Sequence, residues 1–139
     1  MVMLSNRSMP NTCVIPELAY PDVDEAIDWL CRVYGFTLRL RIGNHRAQLN
    51  VGNGAIVVTE RRDGSSNSAD LSFAVMIRLE DVDRHYQHAL RHGADILQEP
   101  ADYPYGERQY VTRDLCGYRW TFSQTVADVD PASWGGSLI

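Results

Sequence analysis

The feature that most constrains this chain is that it repeats itself. The segment AYPDVDEAIDWLCRVYGF returns in weakened form as RLEDVDRHYQHALRHGAD. Asp22-Val23-Asp24 is matched by Asp81-Val82-Asp83, 59 residues on. At the same spacing Ile27 meets Tyr86, Leu30 meets Ala89, Cys31 meets Leu90 and Arg32 meets Arg91. Gly35 and Gly93 close the two copies, one residue out of step. Self-similarity of this kind predicts one supersecondary unit built twice, each burying its apolar face on a sheet of its own.

Each copy reads as an amphipathic helix. Val23, Ile27, Leu30, Cys31 and Tyr34 form one stripe of a 3.6-residue period, as do Val82, Tyr86, Ala89 and Leu90. Asp22 and Asp81 stand where a side chain caps the first-turn N–H groups, with Glu25 as the reciprocal half of a capping box in the first copy. Gly35 and Gly93 provide the left-handed stops. Short apolar runs surround each helix: CVIPELAY before the first, then FTLRLRI, HRAQLNV and AIVVTER, the last two joined at Gly52-Asn53-Gly54. In the second copy LSFAVMIRL precedes the helix, and ADILQ, RQYVTRD and YRWTFSQTV follow it. The expected fold is therefore α+β, two βαβββ modules forming a curved mixed sheet with a concave cup for a ligand. Residues 1–12 are an N-terminal extension, 13–63 the first module, 70–125 the second and 126–139 a C-terminal tail. The polar GSSNSAD run, Gly64–Asp70, links the modules, and Glu99–Glu107 is the longest loop of the second.

Composition excludes some classes of function. A net charge of −5, with every one of the 13 basic residues an Arg, disfavours nucleic acid. No apolar run approaches the ~18 residues of a membrane span. The opening MVMLSNRSMPNT has no apolar core of about 7–15 residues, so no secretory signal is expected. Cys13, Cys31 and Cys116 are widely spaced and suggest no disulfide framework, which fits a reduced, cytoplasmic protein.

The run Asp22–Phe36, D-V-x-x-A-I-x-W-L-x-x-x-Y-G-F, is similar to the first-helix signature of the vicinal oxygen chelate superfamily, which includes glyoxalase I, the extradiol dioxygenases and the bleomycin-resistance proteins. Asp114-Leu115-Cys116-Gly117-Tyr118-Arg119-Trp120 resembles its D-P-x-G-x-x-W turn into the last strand, with Leu115 in place of Pro. Gln98-Glu99-Pro100 through Pro104-Tyr105-Gly106-Glu107-Arg108 resembles the glyoxalase-like subgroup. The resemblance covers about residues 13–125. It implies four metal-ligand positions, His, Gln or Glu in metal-dependent members, and these fall at Ile15, Val57, Ala74 and Thr121. None is a good ligand for a divalent ion, so no metal and no cofactor are expected.

With those four side chains facing the cup, strand alternation brings Glu17 and Ala19, Thr59 and Arg61, Ser72, Met76 and Arg78, and Arg119 and Ser123 onto the same face. Glu17, Thr59, Arg61, Met76, Arg78, Arg119 and Thr121 are the candidate ligand contacts, with Tyr105 from the loop Ala101–Tyr110 and its three tyrosines. For the charged members, pairing or solvation competes with ligand contact. His85, His88 and His92 read as a solvated helix face, and His45 as a loop residue. Cys31 reads as a small core residue and Cys116 as part of a tight turn. Trp134 is a lone aromatic in the tail.

With apolar or hydroxyl residues at all four ligand positions, the resemblance implies a small-molecule-binding protein that lacks the metal quartet and sequesters an antibiotic or metabolite. It also implies a homodimer. Two alternatives stay open: a metal-dependent lyase, isomerase or dioxygenase of the glyoxalase type, and a structural or regulatory dimer with no small ligand.

Overall fold

A computed structural model of the protein describes residues 4–61 and 72–139. Both expected modules are present, and contacts divide the chain into two compact units, Met1–Asn67 and Ser68–Ile139. The linker expected at residues 64–70 lies outside the described residues.

In the first unit β1 (Glu17–Tyr20) leads into α1 (Val23–Tyr34), followed by β2 (Thr37–Ile42), β3 (Arg46–Val51) and β4 (Gly54–Glu60). The second unit repeats the plan with β5 (Ala74–Arg78), α2 (Val82–Arg91), β6 (Asp95–Asp102), β7 (Glu107–Arg113) and β8 (Arg119–Thr125). Each sheet is four-stranded and mixed, in the orders β1-β4-β3-β2 and β5-β8-β7-β6. The first and last strands of each module pair in parallel, and the other neighbours are antiparallel. Among the described residues no helix is long and apolar enough to cross a membrane.

The helix ends form as their chemistry dictates. Asp22 Oδ1 accepts from the Glu25 N–H at 3.0 Å, and Asp81 Oδ1 accepts from the Arg84 N–H at 3.1 Å. Gly35 at φ 79° turns the chain out of α1 through its N–H to Cys31 O, a conformation that costs a residue with a Cβ about 1–2 kcal/mol. α1 buries Val23, Ala26, Ile27, Leu30, Val33 and Tyr34, while Leu18, Tyr20, Leu49, Ile56 and Val58 are buried on the sheet.

α2 buries only Val82 and Ala89, and aromatic packing makes up the second core. Tyr110 stacks on Phe122 with centroids 5.3 Å apart and meets Tyr86 edge-on, and Trp120 is fully buried. Three expected placements shift here for one reason. Taking Val82 as zero, the helical period puts Ala89 about 20° to one side, Leu90 about 80° to the other and His85 about 60° away. Leu90 therefore stands 45% exposed. His85 turns inward, its ring 4.2 Å from that of Phe122 and its Nδ1 2.5 Å from the Tyr110 hydroxyl, so it is not a solvated residue. Cys31 holds the Leu90 position in α1 and is only half-buried; burial, and then Asp28, still push its thiol pKa up. His88 and His92 stack on each other at 4.1 Å, and His45 is exposed.

The expected long loop is also corrected. β6 continues through Pro100 to Asp102, because the register slips between Gln98 and Ala101 and proline is tolerated at such an irregularity. The loop is only Tyr103–Gly106, closed by the Tyr103 N–H to Glu107 O at 2.8 Å. Tyr110 belongs to β7 and is fully buried.

Burial, and then Tyr86, hold the Tyr110 phenol protonated well above its ordinary pKa of 10.0. Below pH 10 the group is neutral whether the chain is folded or not. Above it the unfolded chain loses a proton that the fold retains, so stability falls as pH rises. Tyr110→Phe is expected to flatten the decline in melting temperature between roughly pH 10 and 12. An equally steep decline in the variant would show that another group controls it.

Candidate functional site

Each sheet has a helix-covered face and a helix-free face. In the first module the ion pair between Arg41 of β2 and Asp24 of α1 marks the covered side. The helix-free side carries the row Glu17, Val57, Gln48 and Leu40, and beside it Ala19, Thr59 and Arg46. In the second module the helix-free side carries three adjacent rows. Met76, Thr121 and Val111 lie across β5, β8 and β7, flanked on one side by Arg78, Ser123 and Gln109 and on the other by Ala74, Arg119 and Arg113.

The middle row is a weakly polar strip with Met76 59% exposed. On its Arg78 side a hydrogen-bonded chain fixes the polar groups. The Tyr105 hydroxyl donates to Gln109 Oε1 at 3.2 Å, Gln109 Nε2 donates to Ser123 Oγ at 3.0 Å, and Ser123 Oγ donates to Glu107 Oε1 at 2.7 Å. Gln109 and Ser123 are buried, so this order leaves no buried donor or acceptor wasted. Arg78 Nη2 donates to Thr125 Oγ1 at 2.7 Å, beside an open depression of 450 Å³. Tyr103 stacks on Tyr105 at 5.4 Å, hydrogen-bonds Gln98 and completes an aromatic wall with Trp134 at 5.4 Å from Tyr105. Burial, then Tyr103 and Glu107, raise the Tyr105 phenol pKa.

Of the eight sequence candidates, Met76, Arg78, Arg119, Thr121 and Tyr105 thus belong to the second module. Met76 and Thr121 face each other across paired strands, Arg78 lies one row away with Tyr105 reaching Gln109 of that row, and Arg119 lies one row to the other side. Glu17 and Thr59 are on the helix-free face of the first module. Glu17 is committed to an ion pair with Arg46 at 2.6 Å, exposed enough to be worth about 0–1 kcal/mol. Arg61 follows β4 and points Nη2 at Ala19 O, 3.5 Å away.

The four positions implied for metal ligands are not directly opposed. Val57 pairs with Glu17, Thr121 with Met76 and Ala74 with Arg119, while Ile15 precedes β1. Among the described residues no three His, Cys, Asp or Glu side chains gather so as to hold a metal ion. Aliphatic Ile15, Val57 and Ala74 with hydroxylic Thr121 do not fit a resident divalent ion.

Sequence reasoning missed Gln109, Glu107, Arg39 and Gln48. The two-residue period along β3 and β7 places Gln48 and Gln109 on the helix-free faces.

Paired βαβββ modules, each with one helix on one face of a four-stranded mixed sheet, define the class of fold. A family model for the Glyoxalase/Bleomycin resistance protein/Dioxygenase superfamily matches residues 11–122, and the chain belongs to that superfamily. It is similar to TioX from Micromonospora sp. ML1, at 37% identity over 86% of this chain and 100% of that one, with a TM-score of 0.69. A glyoxalase/bleomycin resistance protein/dioxygenase from Alicyclobacillus acidocaldarius shares the fold at 18% identity and a TM-score of 0.68, covering 86% of this chain and 95% of its own. A glyoxalase-related enzyme from Fulvimarina pelagi does so at 11% identity and 0.67, covering 82% and 88%. No curated protein matches.

Proposed function

We propose that this chain binds a small organic molecule on the helix-free face of its second module and sequesters it without metal chemistry, as an antibiotic- or metabolite-binding protein. The observation that carries this is the strip of Met76, Thr121 and Val111, bracketed by Arg78 on one side and Arg119 on the other. An apolar body lies along the strip while an acidic or acceptor group meets a guanidinium at its edge. Tyr105 and Gln109 bound the site, and Glu17, Thr59 and Arg61 are candidate contacts on the first module's own face. The protein acts in the cytoplasm, as a homodimer measurable by analytical ultracentrifugation.

Naphthalene-2-carboxylate, with naphthalene as its uncharged control, tests the arrangement by calorimetry. The carboxylate is expected to bind, and Met76→Asp to weaken it about tenfold or more by placing a like charge in the strip. Met76 is exposed, so that variant leaves the core intact. Stoichiometric nickel, zinc, iron or manganese in protein purified without chelator would overturn the metal-free reading. No binding of any apolar carboxylate would overturn the site.

A further inference from the structure

Residues 5–10 precede the family match and lie on the helix-free face of the first module. The segment is turned by the Met9 N–H to Asn6 O at 3.1 Å and by the Ser8 N–H to Asn6 Oδ1 at 3.0 Å. Two side chains of the sheet then take three successive carbonyls. Arg39 Nη2 donates to Arg7 O at 3.0 Å and to Met9 O at 2.9 Å, and Gln48 Nε2 donates to Ser8 O at 2.9 Å. The pair is joined by Arg39 Nη1 donating to Gln48 Oε1 at 2.6 Å. Gln48 is 6% exposed and Pro10 is buried. Arg39 is aimed this way by a register slip between Leu38 and Leu40, which makes it the extra residue of a bulge.

We infer that residues 5–10 are a removable strap, and that Arg39 and Gln48 form a receptor for the main-chain carbonyls of a turned peptide-like ligand, with the strap as its built-in occupant. None of residues 5–10 joins a strand. The contacts described are made by side chains reading the backbone, so they suit any segment that adopts the same turn and offers acceptors at the same places. A groove of 740 Å³ runs beside the strap, bounded by it, Ile15 and Arg39, and leaves space for a longer occupant. Lifting the strap leaves a guanidinium and a carboxamide directed outward over Val57 and Leu40, ready for another chain of amides. The receptor belongs to the first module and the Met76 strip to the second, so each proposal is tested by its own variants.

The capped hexapeptide acetyl-Ser-Asn-Arg-Ser-Met-Pro-amide is the probe. It is expected to bind a variant lacking residues 1–10 and to shift the Arg39 and Gln48 side-chain N–H resonances. It should bind the full chain about tenfold more weakly if the strap covers the face nine-tenths of the time. Gln48→Leu in the shortened chain should abolish the shift. Equal affinity for the two lengths, or no binding to a folded shortened chain, would overturn the inference. If the shortened chain does not fold, trypsin cleavage after Arg7 in the full chain decides. Gln48→Leu should speed it about tenfold, by the same covering argument, and an unchanged rate would overturn the strap.

Discussion

Asp114→Ala is expected to cost about 3 kcal/mol or more, and to lower the melting temperature on the order of 10 °C. The carboxylate is 6% exposed and accepts three hydrogen bonds at the entrance to β8. Its Oδ1 takes the Cys116 N–H at 2.9 Å and the Tyr118 N–H at 3.1 Å, while Oδ2 takes the Trp120 indole N–H at 3.0 Å. Alanine leaves those three donors short of an acceptor, and each buried one costs about 1–3 kcal/mol. Asp114→Asn separates the contacts. Its Oδ1 still serves the backbone, but an amide N–H now opposes the Trp120 N–H. A loss roughly half that of alanine is expected, with a change in Trp120 fluorescence. A cost below about 1 kcal/mol for alanine would show that water replaces the carboxylate. The same geometry explains how the turn accommodates Leu115 and Cys116: Asp114 grips the backbone N–H of position 116 and not its side chain.

Gly106→Ala should release the C-terminal tail. Gly106 has φ +82°, and a Cβ there would lie 2.3 Å from Ala127 O and 2.9 Å from Val129 Cγ2. The left-handed backbone adds about 1–2 kcal/mol for a residue with a Cβ. The Val126 N–H, which donates to Gly106 O at 2.8 Å, and the longer Ala127 contact at 3.3 Å then separate. Trp134 loses its seat on Tyr105. Hydrogen exchange at Val126 is expected to accelerate roughly a hundredfold while α1 amides keep their protection, since only the local opening changes. Unchanged exchange at Val126 would mean that the loop, and not the tail, absorbs the clash. Because Tyr105 also bounds the proposed site, the variant reports whether the tail contributes to naphthalene-2-carboxylate binding.

Much of the fold was legible because the information is local. A cap needs Asp22 three residues from the N–H it accepts, and a stop needs a glycine at a positive φ. The helix flanks were harder to read. Leu90, Cys31 and His85 sit about 60–80° from the stripe centre, where small changes in how a helix lies on its sheet decide burial. Pro100 reads as the end of a strand, and the slip between Gln98 and Ala101 lets the strand continue through it.

For the candidate site, alternation along β5 and β8 placed Met76, Arg78, Arg119 and Thr121 on one face, because side chains two apart must share a side. It did not say that Tyr105 would reach Gln109, or that Trp134 would reach Tyr105. By itself, then, the sequence determined the two modules, their helices and the faces of the first and last strand of each, all set by backbone periods and capping within a few residues. Only the tertiary structure decided that Arg39 and Gln48 hold carbonyls 30 to 40 residues away, since that depends on a bulge and a strand register. Pairing between strands is fixed by the packing of the whole sheet, and no local period encodes it.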